Sequence, residues 1–421
     1  MKIVNVCRRF DPAHWGGTET VVAETGARLA SRGHEVSVLA SAALGAPGQV
    51  EVAGLAVERF RYDYPYLGLS ARARAALDNA GGNLVSWPLL RRLLTMPRPD
   101  VVHLHTAGRL GGMVRMACRA RGIPYLVSLH GGRFTIPPQQ AAIFSEPLRG
   151  TIDLGKPLGA FFGARRVLAD AAAVLAFSRA EADACREALP GTRVVHMAHG
   201  LDLARWRAPV SAEASPFRAD AFPKLLCVGR IDPQKGQDSL IPLVAGLRRD
   251  YPQLQLLMIG SPTQASFAEQ LSAQAREAGV ADCVEQLGGL SPGSDTLRAA
   301  YRDASALLVP SRHEPFGIVA LEGWASEVPV IASRTGGLID LIGEDEAGLL
   351  VPLHRPELLA QRLRELLERP ALAASLRKEG AARVAARHDW ARVVDSLAEL
   401  YAELSARPSG RNSAWRRALS A

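Results

Sequence analysis

"ALLVPSRHEPFGIVALEGWASEVPVIAS", residues 306–333, reads as one strand–helix–strand unit. Residues 306–311 and 328–333 are short apolar runs, as strands buried on both faces of a parallel sheet should be. Residues 316–326 between them carry a helical pattern. Pro315 suits the first helical position, where a missing N–H costs nothing, and this makes Glu314 the cap. Phe316, Gly317 and Ile318 would then offer free backbone N–H groups at the positive helix end, a natural phosphate site. Glu322 falls two turns on, roughly 12 Å along the axis. Both carboxylates can accept paired hydrogen bonds from sugar hydroxyls. The same residues also allow a ligand-free reading, with Glu314 a simple cap and Glu322 a buried salt-bridge partner.

Outward from this unit the alternation continues. "KLLCVGR" (224–230), "LQLLMIG" (254–260) and "CVEQLGG" (283–289) read as further strands, with helices over 238–250, 265–278 and 295–303. An earlier series comprises "KIVNV", "EVSVLA", "DVVHLH", "YLVSLH", "AVLAFS" and "RVVHMA". The expected fold is α/β, with two Rossmann-like, doubly wound domains. A deep cleft is expected between the carboxyl edges of their sheets, where ligands bind. The Pro-, Ala- and Ser-rich stretch 202–223 lacks a period and reads as a linker. The expected boundaries are 1–205 for the N-terminal domain, 206–387 for the C-terminal domain and 406–421 for a basic tail, with 356–405 helical throughout.

The 421 residues, 48% hydrophobic and 22% charged, suit a soluble protein of two domains. The net charge of +8 is uneven: residues 1–210 hold 26 Lys and Arg against 16 Asp and Glu, and the remainder 24 against 26. A basic first half suits a phosphate-bearing substrate or an anionic membrane surface, and arginine richness from a GC-rich genome would give the same count. No aromatic-interleaved basic stripe accompanies it, so nucleic acid is not an expected partner. Cys7, Cys118, Cys185, Cys227 and Cys283 are odd in number and lack C-x-x-C spacing, as reduced thiols of a cytoplasmic protein would be. No run of apolar residues is long enough to span a membrane.

In "VGRIDPQKGQD" (228–238) Gly229 lets the chain turn, and Arg230 and Lys235 project at a sheet edge. Two cations there suit a diphosphate, or else pair with Asp232 or Asp238. Gly16 and Gly17 follow the first strand but do not form G-x-G-x-x-G, so the dinucleotide fingerprint is missing. His130 ends another strand in "SLHGG" (128–132). His103 and His105 alternate and so share one strand face. Without a third ligand that pair does not suggest a metal, and no D-x-D triplet suggests a carboxylate-held one.

Together these motifs resemble the retaining glycosyltransferases of family GT4, with the GT-B fold. The matching stretches are Gly16–Gly17, "LHG" (129–131), "HGLD" (199–202), "GRIDPQKG" (229–236), "EPFGIVALEG" (314–323) and "HDWARVVDSLAELY" (388–401). The last looks like the family's C-terminal helix, which over 388–405 packs back on the N-terminal domain. The resemblance implies that Arg230 and Lys235 hold the donor diphosphate and stabilise the departing nucleotide diphosphate. It implies ribose contacts for Glu322, sugar contacts for Glu314, and backbone contacts for Phe316, Gly317, Ile318 and Val319. Gly16 and Gly17 would approach the phosphate, and His130 the C6 side of the sugar. The catalytic set would thus be Arg230, Lys235, Glu314 and His130. His105 and Arg133, with Arg165 and Arg166, are candidates on the acceptor side. The implied substrates are a UDP- or GDP-sugar and a glycan or lipid-linked acceptor, with no cofactor and no metal, in bacterial surface polysaccharide or glycoconjugate synthesis. The implied place is the cytoplasm, with peripheral contact to the anionic inner membrane face left open. The alternative is a non-catalytic sugar-nucleotide-binding subunit of a polysaccharide assembly complex. A nicotinamide dehydrogenase lacks its fingerprint here.

Overall fold

Each apolar run followed by a helix can pair in parallel with the next, because the helix carries the chain back across the sheet. The computed structural model, which describes residues 1–12, 15–131, 134, 146–353 and 355–406, divides into two compact units. Unit 1 comprises residues 1–197 and the C-terminal segment from Ala391. Unit 2 comprises residues 198–390.

The strands of unit 1 are β1 (Lys2–Cys7), β2 (Glu35–Ser41), β3 (Gly48–Val52), β4 (Leu55–Phe60), β5 (Tyr66–Leu67), β6 (Val101–Leu104), β7 (Tyr125–Leu129), β8 (Ile152–Asp153), β9 (Ala173–Ala176) and β10 (Val194–His196). Eight form one sheet, in the order β10-β9-β7-β6-β1-β2-β4-β3. All its neighbours are parallel except the β3–β4 hairpin, which turns at Ala53 and Gly54, with φ of 52° and 73°. β5 and β8 make a separate antiparallel pair. The order reverses at β1, which lies between β2 and β6, and such a switch point is where ligands approach open α/β sheets.

The strands of unit 2 are β11 (Lys224–Val228), β12 (Gln255–Ile259), β13 (Val284–Leu287), β14 (Ala306–Val309), β15 (Val330–Ser333) and β16 (Leu349–Val351). They form an all-parallel sheet in the order β13-β12-β11-β14-β15-β16. Here the order reverses between β11 and β14. The apolar runs read from sequence are strands in both units. β3, β4, β5, β8 and β16 are additions.

The expected linker, 202–223, is packed on unit 2 instead. Trp206 is buried with its ring 5.3 Å from that of Tyr301, and Arg298 donates to the carbonyls of Arg205 and Ala208. The helical stretch 356–405 is three helices, Pro356–Glu368, Pro370–Arg387 and Trp390–Ala406. Pro370 has no N–H to continue the first helix. At the second break the His388 carbonyl accepts from Leu201 N, and Trp390 N donates to the Leu201 carbonyl, in strand-like pairing. Within unit 1 the last helix is tied down by Tyr401, whose hydroxyl lies 2.6 Å from His103 Nδ1, and by a two-pronged ion pair between Arg193 and Glu403. Among the described residues no helix is long and apolar enough to cross a membrane.

Candidate active site

At the carboxyl edge of unit 2 two loops leave the adjacent strands β11 and β14. The first, 229–238, turns at Gly229 and again at Gly236, where φ is 71° and a Cβ would come within 2.2 Å of the Pro310 carbonyl oxygen. Only glycine lets the two loops close this far. Gln237, fully buried, donates to the Arg230 carbonyl. Asp238 takes a two-pronged ion pair from Arg312, and Asp232 accepts from Gln234 N and Thr263. Both aspartates considered as partners for Arg230 and Lys235 are therefore engaged elsewhere. Lys235 Nζ instead lies 2.6 Å from Glu314 Oε2, which also accepts from Ser311 Oγ at 3.2 Å. The Arg230 side chain is exposed and makes no ion pair among the described residues.

The helix after Glu314 starts later than expected. It runs from Ile318 to Ala325, capped by Gly317 at φ 102°, rather than starting at Pro315 under a Glu314 cap. The left-handed Gly317 redirects the chain, and a Cβ there would meet Leu338 Cδ2 at 2.7 Å. The shift keeps the expected consequence. The N–H groups of Phe316, Gly317, Ile318 and Val319 find no acceptor among the described residues. They lie at the N-terminal, positive end of a helix. Gly336 and Gly337 support Glu314 from behind: Gly337 N donates to its carbonyl at 2.8 Å, and a Cβ on Gly336 would lie 2.1 Å from that oxygen.

Glu322 is the fifth residue of this helix and is half-buried. Tyr301 donates to its Oε2 at 2.6 Å. Burial pushes the Glu322 carboxyl up to about 7, against the downward pull of that hydrogen bond. Glu314 and Glu322 thus each have a protein partner on Oε2, and each keeps Oε1 without one among the described residues. Tyr301 and Ser311 carried no signal in the sequence, since neither belongs to a motif.

The carboxyl edge of unit 1 is built differently. Gly16 caps the helix Gly17–Ser31 in extended conformation, and Gly17 has open space where a Cβ would point. Glu19, buried in the first turn, is paired with Arg9 at 3.1 Å, so a carboxylate already stands at this helix end. His103, His105 and His130 form a ladder, with ring centroids 4.0 and 5.1 Å apart, that continues to Phe177. His105 Nε2 lies 3.0 Å from Asn5 Oδ1, and its Nδ1 lies 2.8 Å from His130 Nε2. Burial brings His103 down to about 3 and His130 down to about 4, and lowers His105 well below the usual histidine range. All three are neutral at ordinary pH. Both ring nitrogens of His105, an expected acceptor-side residue, are used inside the protein, one by Asn5 and one by His130. Arg133 lies outside the described residues.

Unit 2 therefore brings together Arg230, Lys235, Glu314, residues 316–319 and Glu322. Unit 1 brings together His105 and His130 on adjacent strand ends, with Gly16 and Gly17 following β1.

Residues 16–200 match the family model described as a glycosyl transferase 4-like domain, and residues 213–383 the model described as glycosyl transferases group 1. A D-inositol 3-phosphate glycosyltransferase of Thermobispora bispora is 32% identical over 418 residues, 94% of this chain and 93% of its own. Sucrose-phosphate synthase from Thermosynechococcus elongatus superposes with a TM-score of 0.72 at 23% identity, over 96% of this chain and 98% of that one. Anabaena HepE, in complexes with UDP and with UDP-glucose, superposes with TM-scores of 0.71 and 0.69 at 19% and 18% identity, over 96% of this chain and all of its own. Sequence, site geometry and fold agree: the chain belongs to glycosyltransferase family 4, has the GT-B fold, and is a glycosyltransferase acting on nucleotide sugars.

Proposed function

We propose that the protein transfers a sugar from a UDP-sugar to a phosphate-bearing acceptor, with retention of configuration and without a metal ion. The observation that carries this reading is the cluster of four acceptor-less N–H groups at residues 316–319, on the loop whose Glu314 is paired with Lys235. Oriented N–H groups and cations are what a diphosphate leaving group needs, and they act most strongly as its charge develops. Lys235 and Arg230 take up that charge as the bond between the anomeric carbon and the diphosphate oxygen breaks. Glu322 Oε1 accepts from ribose hydroxyls, and Glu314 Oε1 from a hydroxyl of the sugar. Glu314 is held in an ion pair, so it serves as an anchor and not as a nucleophile. The acceptor hydroxyl attacks from the face the diphosphate leaves, and its proton passes to the departing phosphate oxygen.

UDP as the nucleotide is supported by the HepE complexes, and a phosphate-bearing acceptor by the inositol phosphate in the relatives' name. A lipid-linked phosphate acceptor belongs to the same class. The basic first half of the chain suits either. The buried, free cysteines suit a cytoplasmic enzyme.

The test is a UDP-release assay with a series of UDP-sugars and paired acceptors, with and without phosphate, followed by NMR of the product. The expected result is turnover that needs the acceptor phosphate, survives a chelator, and yields the anomer of the donor. An inverted product, loss of activity on chelation, or equal turnover of the dephosphorylated acceptor would each overturn the corresponding part. UDP binding without turnover on any acceptor would favour the non-catalytic subunit.

A further inference from the structure

Unit 1 exposes large apolar side chains on three neighbouring elements. In the antiparallel pair β5–β8, Leu67 stands opposite Ile152 and Tyr66 opposite Asp153. Directly opposed residues share a face, and successive residues alternate. The Tyr66 and Asp153 face is turned inward: the Asp153 carboxylate pairs with buried Arg109, whose guanidinium lies 5.2 Å from the centre of the Tyr66 ring. Leu67, Ile152 and, two residues on, Leu154 are thereby held outward. Ile152 is 61% exposed.

Arg109 also donates to the Gly155 carbonyl, fixing the turn into the helix Lys156–Phe161. That helix ends in Phe161, which is 75% exposed, the highest value among the exposed large apolar residues that the structure describes. Its neighbour Phe162 packs against Trp87 at 5.6 Å between centroids. In the helix Trp87–Thr95, Trp87, Arg91 and Leu94 are exposed at helical spacing on one face. A cluster of this kind, held rigid and pointing outward, marks an interaction surface.

The charges on these elements indicate the partner. Arg91, Arg149, Lys156 and Arg165 are exposed, and none forms an ion pair with a carboxylate among the described residues. Asp153, in the same strand pair, is already taken by Arg109, and Glu146, three residues before Arg149, is an exposed carboxylate outnumbered by these cations. A second copy of the chain docking through this patch would bring cation against cation. A bilayer with anionic headgroups satisfies both features, since the apolar tips enter the headgroup region and the cations meet lipid phosphates.

We propose that unit 1 docks on anionic lipid bilayers through the β5–β8 strand pair, the helix Lys156–Phe161 and the exposed face of the helix Trp87–Thr95. The proposal stands apart from the reaction assigned above and holds for either class of acceptor.

The test is co-sedimentation of the full chain with phosphatidylcholine vesicles, with and without phosphatidylglycerol, at low and high salt. Binding is expected only to the anionic vesicles and is expected to weaken with salt. The Lys156→Glu and Arg149→Glu double variant should weaken partition by roughly ten- to thirty-fold. Ile152→Ser with Phe161→Ser should weaken it at every salt concentration. All four side chains are solvent-exposed, so melting curves and UDP-sugar turnover in solution should match the parent. Equal binding to neutral vesicles, binding unchanged in both variants, or no binding at all would overturn the proposal. So would light scattering that shows a dimer dispersed by the Phe161 and Ile152 changes while vesicle binding persists.

Discussion

At the edge of the unit 2 sheet Lys235 and Glu314 stand 2.6 Å apart as a charged pair. At the edge of the unit 1 sheet His105 and His130 stand 2.8 Å apart and both are neutral. The first pair is mostly buried, and the loops that carry it also hold Arg230, which makes no ion pair among the described residues, and the four N–H groups of residues 316–319. The second sits in a stack of rings that burial keeps uncharged. On the function proposed above, charge that develops on a leaving diphosphate finds its counter-charge on unit 2. Unit 1 presents hydrogen-bonding geometry whose charge does not change across the working pH range. This division explains why the same strand–loop–helix architecture carries such different side chains at its two edges.

The most direct way to break the comparison is to remove the cations of unit 2 one at a time. Arg230→Ala and Lys235→Ala should each lower kcat/KM by about 10²–10³, as loss of a charge-stabilising donor does. Their effects on stability should differ. Lys235→Ala leaves the nearly buried Glu314 carboxylate without its cation and should cost about 1–3 kcal/mol. Arg230→Ala removes an exposed side chain with no ion pair among the described residues and should leave Tm unchanged. Equal stability losses, or an active Lys235→Ala enzyme, would mean that the Lys235–Glu314 contact is architectural and the diphosphate binds elsewhere.

Glu322 sharpens the comparison within unit 2. Its carboxyl is raised from its ordinary range to about 7, so the folded protein holds this proton more tightly than the unfolded chain. Its contribution to stability is therefore greatest at low pH, falls as pH rises from about 4.5 to about 7, and stays flat above. Glu322→Gln should abolish that fall and be more stable than the parent at pH 8 by up to about 3 kcal/mol. UDP affinity should run the other way. It should rise through pH 7 in the parent, as the carboxylate forms to accept ribose hydroxyls, and be weaker and flat in the variant. Thermal melts and calorimetric titrations at pH 6, 7 and 8 would show both trends. A parent stability curve without this fall would place Glu322 in a more solvated setting than its contacts indicate.

How much of this was legible in the sequence depended on whether the signal lay along the chain or across it. Strands buried on both faces read as continuous apolar runs. The β3–β4 hairpin did not, because β3 is exposed along most of its length and β4 is buried only at intervals. β5 and β8 have two residues each, too short for any period. Arg230, Lys235, Glu314 and Glu322 were legible because each lies at a fixed offset from a strand end. Their supports were not. Tyr301 reaches Glu322 from the preceding helix, and Asn5 reaches His105 only because β1 and β6 pair with Asn5 opposite His103. Such partners are set by strand register or by the packing of one helix against another, which no local motif encodes. In the sequence Gly317 stands out only for the free backbone N–H it offers at a helix start. Its left-handed backbone, which moves the helix start, needed the packing against Leu338 to be seen.

The smallest expected effect concerns Asn5, and it tests the unit 1 half of the comparison. With Asn5 Oδ1 as acceptor, His105 must carry its proton on Nε2. His105 Nδ1 is then a bare lone pair, so His130 must donate to it from Nε2. His130 Nδ1 is then the unprotonated nitrogen, a hydrogen-bond acceptor and not an acid. Nitrogen NMR of the full chain should show His130 as the neutral Nε2–H tautomer from pH 8 to pH 5, since its pKa is lowered to about 4. Because the unfolded histidine titrates higher, near 6.5, this group contributes stability above that pH and loses it as pH falls toward about 4. That is the opposite trend to Glu322, so acid should loosen unit 1 while it relieves unit 2. Asn5→Leu removes the acceptor that fixes the relay and should lower kcat by about tenfold, as loss of a positioning partner does, while mixing the His130 tautomers. A variant with a reduced rate but an unchanged tautomer would show that Asn5 acts through packing alone. A parent enzyme whose rate followed a His130 titration near pH 6.5 would mean that this edge carries charge after all, and the contrast between the two sheets would fall.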